Sequence, residues 1–555
     1  MANKAAIDFG NSNTVIARWN DASQNPEILT VPEYAVPGTF LIPSKIAYEP
    51  DGRFFIGTQI SKRSGPESRE FRWMKRYINL RSPYSLRVGE NRVDAGQAAE
   101  DFLRTLTAAL FSASSDRPDE LILSVPVESF EYYSEWLLKD ISAFEGLPIR
   151  LIDEASAAAA GYGLRLQPGD SLLVVDFGGS TLQAVCVSVA EEAETQGRCC
   201  RVLGKAGCSL GGMTLDRWLF EDVLRRLKKN ENDPLMHSLS AELLNCCENA
   251  KKQLSAAESV LFDFFPEDSF LLTREDLVGL FREHGLFETL DSLIEEALRT
   301  AEDHGLVREQ LTAVLPVGGS CLIPALMDHL QSRFPAEIVI QGEPLGAVAR
   351  GAAVIAGGMH IYDFIQHSYA IRYNDPVSGG YAFRTIIPKG TKYPSERVTN
   401  PIRLKASYDG QQRFGIAVYE LRESNAAELS RNEIFFDDSG GVHVMRMTEA
   451  EIEAEQRFWL NERNPLFLSA DVPAERGDRR PDPLRRRERD PGRGDGLRQP
   501  GGAAGGRRPD GRGRDPRGHR HQEQLQCGQH PHLRHGGGWR LPSHGGGLPG
   551  GYRHR

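Results

Sequence analysis

Two segments far apart in the chain carry one pattern: Ile7-Asp8-Phe9-Gly10-Asn11-Ser12-Asn13-Thr14, and Val174-Val175-Asp176-Phe177-Gly178-Gly179-Ser180-Thr181. Each closes an apolar run with an aspartate and follows it with glycine and small hydroxyl or amide residues, the pattern of a buried strand entering a tight hairpin. Glycine lets such a turn bring backbone N–H groups close to phosphate oxygens, and the neighbouring aspartate suits a hydrated Mg²⁺. One Asp-x-Gly turn by itself commonly marks no more than the end of a strand. Two of them predict two half-domains that clamp one nucleotide.

A third segment, Ala313-Val314-Leu315-Pro316-Val317-Gly318-Gly319-Ser320, ends an apolar run in a diglycine, and Ile323-Pro324-Ala325-Leu326 then opens a helix with proline in its first turn. Taken alone this is a strand–turn–helix junction; after the two hairpins it fits a nucleoside shelf. The three loops together resemble those of the actin, sugar-kinase and heat-shock ATPase superfamily. Further segments resemble the DnaK-type heat-shock chaperones within it: Leu151-Ile152-Asp153-Glu154-Ala155-Ser156-Ala157-Ala158-Ala159-Ala160-Gly161, Leu210-Gly211-Gly212-Met213-Thr214-Leu215-Asp216 and Cys247-Glu248-Asn249-Ala250-Lys251-Lys252-Gln253-Leu254-Ser255. So do Met74-Lys75-Arg76-Tyr77-Ile78, Ser124-Val125-Pro126, and Glu343-Pro344 followed by Ala347-Val348-Ala349-Arg350-Gly351. These follow the family's order over about the first 360 residues.

Strand-like runs alternate with helical stretches at 94–113 and 291–304, the pattern of an α/β domain. The resemblance implies a two-lobed actin-like ATPase with ribonuclease-H-like lobes over 1–358. A short linker at 359–367 follows, in which only Asp363 and a reduced apolar patch match the family's leucine run. Strands at 368–373, 381–387 and 414–421 read as the start of a partial all-β peptide-binding sandwich over 368–475.

From Arg476 to Arg555 the chain has no Lys, Ile, Val, Phe, Met, Thr or Asn, and Arg, Gly, Pro and His dominate. Such a segment cannot bury enough apolar area to offset its ordering entropy, so a disordered tail is expected. The missing residues are largely those with A/T-rich codons, which favours an out-of-frame reading of GC-rich DNA. Neutral disorder and a functional basic tail stay open. Nothing in 476–555 reads as a helical lid.

A formal net charge of −10 argues against a general nucleic-acid binder. The eight cysteines show no Cys-x-x-Cys spacing, so a reduced compartment without a zinc site is expected. No apolar run approaches membrane-spanning length and no signal segment precedes the first strand, which predicts a soluble, cytoplasmic protein with neither membrane nor specific nucleic-acid partners.

The resemblance also implies roles. Asp8 and Asp176 would hold Mg²⁺ through its waters, while Gly10, Asn11 and Ser12 with Gly178, Gly179, Ser180 and Thr181 would cradle the phosphates of ATP or ADP. Lys75 would reach the γ-phosphate, Glu154 would orient the attacking water, and Thr181 and Asp176 complete the catalytic set. Gly211 and Gly212, then Glu248, Lys251, Lys252 and Ser255 on one helix, with Gly318, Gly319 and Ser320, would meet the nucleoside. Pro126 and Arg150 match positions that relay nucleotide state to the β-domain. Gln183 stands where the family has an aspartate linked to a monovalent cation, and Leu322 where an arginine packs on adenine; neither K⁺ dependence nor full adenine grip therefore follows from the resemblance.

The implied function is a slow, Mg²⁺-dependent ATPase chaperone for unfolded or extended polypeptide clients, with a J-domain co-chaperone and a nucleotide exchange factor as partners and with impaired peptide coupling. A small-molecule (sugar) kinase of the same superfamily and a non-hydrolysing nucleotide-binding scaffold are the alternatives.

Overall fold

The first hairpin builds a sheet in the order Ile149–Asp153, Glu120–Val125, Lys4–Phe9, Asn13–Asn20 and Asn25–Leu29, parallel over the first three strands and antiparallel after them. The second hairpin repeats the scheme: Ala313–Val317 runs parallel to Ser171–Phe177, followed by antiparallel Leu182–Glu191 and Arg198–Cys208. In a computed structural model of the chain, these are the two lobes that the paired motifs predict. Residues 4–469 are described, apart from short internal stretches of which 394–412, 423–431 and 447–455 are the longest. They belong to one unit, Met1–Gly477, whereas the tail predicted from 476, with the unit Asp478–Arg555, lies outside the described residues.

Two alanine-rich helices, Glu154–Gly163 and Ala347–Ala356, share one core with both sheets; Ala6, Ala17, Val174 and Val185 pack with Ala157, Ala160, Ala349 and Ala353. Their small side chains let the backbones close up, and Gly161 faces Gly351 so tightly that a Cβ at 161 would lie 3.1 Å from the Gly351 Cα. Six consecutive residues of Ser171–Phe177, from Leu172 onward, are buried, as expected for a strand covered on both faces. The helices read at 94–113 and 291–304 are Ala95–Leu110, capped by the Asp94 carboxylate on the Gln97 N–H, and Leu286–Asp303.

Within the expected linker, His360–Phe364 forms a strand, parallel to Arg198–Cys208 and antiparallel to Lys392–Tyr393. The shortened apolar patch thus still extends the second sheet. Asp363 is fastened there by Lys205, whose Nζ lies 2.8 Å from its carboxylate and 3.4 Å from Asp153. Burial and the Asp153 carboxylate raise Asp363 to about 7 against the pull of Lys205.

Beyond it, the strands Ser368–Asn374, Tyr381–Ile387 and Arg413–Leu421 appear where the sequence places them, joined antiparallel and extended by Arg457–Trp459 and Leu466–Ser469. This sheet meets the first lobe through Glu420, which accepts from the Glu131 N–H at 2.8 Å and pairs with His367 at 2.6 Å. A separate hairpin, Asn432–Phe436 with Val442–Arg446, packs Ile434 and Val442 into the core of the lobes instead.

Candidate functional site

Asp8 and Asp176 occupy matching places, opposite Val15 and Gln183 in their hairpins. The two turns close alike: the Gly10 N–H donates to the Asn13 carbonyl at 3.2 Å and the Gly178 N–H to that of Thr181 at 2.9 Å. The loops also touch across the lobes. Asn11 donates to Ser180 Oγ through Nδ2 and accepts from the Arg76 N–H at 2.8 Å through Oδ1. A Cβ at Gly179 would lie 2.5 Å from Ser12 Oγ and force that hydroxyl to turn aside. Gly318 adopts φ +85°, turning the third loop beneath Phe177.

Lys75 comes from the short helix Met74–Asn79, which Trp73 enters in the left-handed region at φ 60°. Lysines are usually solvated, yet this one is 1% exposed and ion-paired with Glu154, its ammonium 5.8 Å from the Tyr133 ring centroid. Burial favours the neutral amine, but Glu154, Tyr133 and Asp8 outweigh it and push the Lys75 pKa up. Asp8 is raised to about 6 by burial and then by Glu154, opposed by Lys75 and by the Ser124 hydroxyl donating at 2.7 Å. Burial, Glu154 and Asp8 raise Asp176 well above the usual carboxylate range. Three carboxylates converge on one ammonium, a surplus of buried negative charge that a divalent cation would neutralise, so Asp8 and Asp176 fit a Mg²⁺.

Gln183, which the sequence shows only as a lost carboxylate, is fully buried and holds Glu154: its Nε2 donates to Glu154 Oε2 at 2.8 Å and to Thr181 Oγ1 at 3.2 Å, while its Oε1 accepts from the Val127 N–H at 2.8 Å. Ser124, Tyr133 and Asp216 also belong to this neighbourhood and were given no role by the sequence. Asp216 pairs with Lys251 at 2.7 Å, and burial raises it to about 6 against that lysine. Ser124 and Asp216 lie in segments that resemble the family, but their distant partners, like those of Tyr133 and Gln183, cannot be read from local sequence.

Lys251 also donates to the Gly212 carbonyl at 2.8 Å, and Ser320 to that of Gly178 at 3.1 Å, so both knit the loops together. Lys252 pairs with Glu248 at 2.6 Å, and Ser255 donates to the Lys251 carbonyl at 3.4 Å. Burial would raise Glu248, but Lys252 and Lys251 hold it below its ordinary value. These groups surround a cleft of about 410 Å³, a volume suited to a small ligand. Asp8, Lys75, Glu154, Asp176, Thr181 and Gly319 line it with the phosphate-loop and helix residues; Gly211 instead lies behind Gly212, against the Ser180 backbone. Leu322, about half exposed, and Leu345 form an apolar part of the wall. Pro126 also lines the cleft, whereas Arg150 binds the Ile355 carbonyl and Glu120 outside it.

The family model described as "Hsp70 protein" matches residues 89–432, more than half of the chain. The chain belongs to the Hsp70 family. Chaperone protein DnaK of Deinococcus proteolyticus is 29% identical over 399 residues, covering 64% of this chain and 59% of that protein. Chaperone protein DnaK of Cenarchaeum symbiosum is 26% identical over 374 residues, covering 64% and 54%. The chain therefore spans a little over half the length of these curated relatives. Hsp70 proteins are chaperone-type ATPases that bind ATP and ADP with Mg²⁺, and the paired lobes here are the actin-like fold expected of them. Among the described residues, no helix is long and apolar enough to cross a membrane.

Proposed function

We propose that this Hsp70-family chain binds Mg²⁺-ATP in the cleft between its two hairpins and hydrolyses it slowly as a chaperone-like ATPase. The convergence of Asp8, Asp176 and Glu154 on the buried Lys75 ammonium carries this reading. A bound Mg²⁺ would neutralise phosphate charge, held through its waters by Asp8 and Asp176. Gly10, Asn11, Ser12 and Gly178 to Thr181 position the phosphates, and Lys75 meets the charge that develops on the transferred group. Glu154, fixed by Gln183, accepts a hydrogen bond from water and aims it for attack in line.

Glu154 directly follows Asp153, which shares Lys205 with Asp363 of the strand His360–Phe364. This chain of contacts supports nucleotide-dependent docking of that strand. Full peptide capture is another matter. The composition of 476–555 cannot bury enough apolar area to offset its ordering entropy, which weighs against a peptide-closing segment within it. We therefore infer weak coupling to extended polypeptide clients, with a J-domain co-chaperone and an exchange factor as partners in the cytoplasm.

The test is phosphate release from Mg²⁺-ATP, with and without unfolded peptide and a panel of sugars. Slow, Mg²⁺-dependent release that either addition changes less than about twofold is expected. Formation of a sugar phosphate would instead identify a kinase, and ATP binding without release a scaffold. Peptide held about tenfold or more tightly in ADP than in ATP would contradict weak coupling.

A further inference from the structure

We propose that His237, Asp437 and His443 form a binding site for a zinc-type divalent transition-metal ion, separate from the nucleotide cleft. His237 lies in the first turns of the helix Pro234–Leu254; Asp437 and His443 belong to the hairpin that covers this helix. Both histidines direct Nε2 at one carboxylate oxygen, Asp437 Oδ2, from 2.5 Å and 3.4 Å. The two rings lie 4.7 Å apart, and the three ligand atoms all fall within 4.8 Å of one another. Two ligands on a tetrahedral zinc ion stand about 3.3 Å apart, so the site forms when the shorter contact opens by less than about 1 Å and the two imidazole nitrogens, within 4.8 Å of each other, close toward that spacing. Imidazole nitrogen and carboxylate oxygen suit Zn²⁺ and its neighbours in the transition series.

The surroundings are built for this. Asp437 Oδ1 accepts from the Gly441 N–H at 2.9 Å, which turns Oδ2 toward the histidines, as outer hydrogen bonds do around metal ligands. Gly441 passes so close to the His237 ring that any Cβ there would collide with it. One turn along the helix, Ser240 Oγ accepts from the Val442 N–H at 2.7 Å. The three side chains keep between 26% and 36% of their surface exposed, enough for an ion to enter and for water to complete its coordination.

A bound ion ties the hairpin to a helix whose far end carries Glu248, Lys251 and Lys252 at the nucleotide cleft. The same hairpin places Phe436 5.2 Å from Trp73, the residue that leads into the Lys75 helix. Metal therefore holds the hairpin on the ATPase lobes. The site does not depend on the nucleotide reading. Cysteine spacing cannot reveal it, because its ligands are two histidines and an aspartate brought together from positions 237, 437 and 443.

Zn²⁺ alone is the probe, added to the full chain. Seven of the fourteen histidines lie between 519 and 554 and offer imidazole to metal in every variant, so the readout must be local and differential. Amide exchange across 432–437 and 441–446 should slow at least tenfold on adding Zn²⁺ to the natural chain, and should not respond in His237→Asn, Asp437→Asn or His443→Asn. Unchanged exchange in the strand 171–177 reports that each variant keeps its fold. Competition with a chromophoric chelator should show one Zn²⁺ equivalent bound at least tenfold more weakly in these variants, and unchanged in His329→Asn. Absence of slowing in the natural chain, or variants that match it in either measurement, overturns the assignment.

Discussion

Replacing Lys75 by alanine should slow ATP hydrolysis roughly a hundred- to a thousandfold while weakening ATP binding less than about tenfold. The difference follows from where the ammonium sits. Lys75 is buried, ion-paired with Glu154 and close enough to Asp8 for that carboxylate to help hold its charge. On the proposed reading it faces the place where charge develops during phosphoryl transfer, whereas ground-state affinity is spread over many loop contacts. Its loss also leaves Glu154, Asp8 and Asp176 without their cation, so the remaining carboxylates take up protons more readily and orient water less well. Single-turnover hydrolysis and nucleotide titration on one preparation measure both quantities. Equal losses in the two would make Lys75 a binding residue.

Asp8→Asn should have opposite effects on the empty and the loaded protein. Burial and then Glu154 raise the Asp8 pKa from 3.8 to about 6, so without ligand folding favours its protonated form. That preference costs nothing below about pH 4, grows as pH rises, and leaves the full penalty for ionised Asp8 above about pH 6. Asparagine imitates the neutral acid and can still accept from Ser124. Without nucleotide, the variant should therefore be more stable above pH 6 by on the order of 1–3 kcal/mol, with the gain vanishing near pH 4. With Mg²⁺-ATP the order reverses, because the variant has lost half of its aspartate pair. Melting curves from pH 4 to pH 8, with and without ligand, read both effects. A variant less stable than the natural chain at pH 7 in the absence of ligand would contradict the charge surplus.

The parts of this design that are local in sequence were legible there. Aspartate after an apolar run, then glycine, marked both hairpins, and the turn residues on either side placed Tyr381–Ile387 to the residue. Long-range partners were not. Gln183 read as a lost cation ligand, but its amide bridges Val127 and Glu154, which no local pattern reveals. Asn11 read as part of the phosphate cradle, and in the fold it also joins Ser180 to the Arg76 N–H of the Lys75 helix across the lobes. Lys75 followed by Arg76 looks like surface charge, and only the fold buries it. The linker looked eroded because its leucines are gone; backbone pairing with Arg198–Cys208 and the Lys205 contact hold a strand there without them.

The central claim, two hairpin aspartates closing on one Mg²⁺-nucleotide, is tested most directly by the melting temperature of the natural chain in ATP with Mg²⁺, in ATP with chelator, and in buffer alone. Ligand at a hundred times its dissociation constant adds about 2.7 kcal/mol to stability. A clear upward shift that needs both Mg²⁺ and ATP is predicted. No shift at saturating Mg²⁺-ATP would contradict the account.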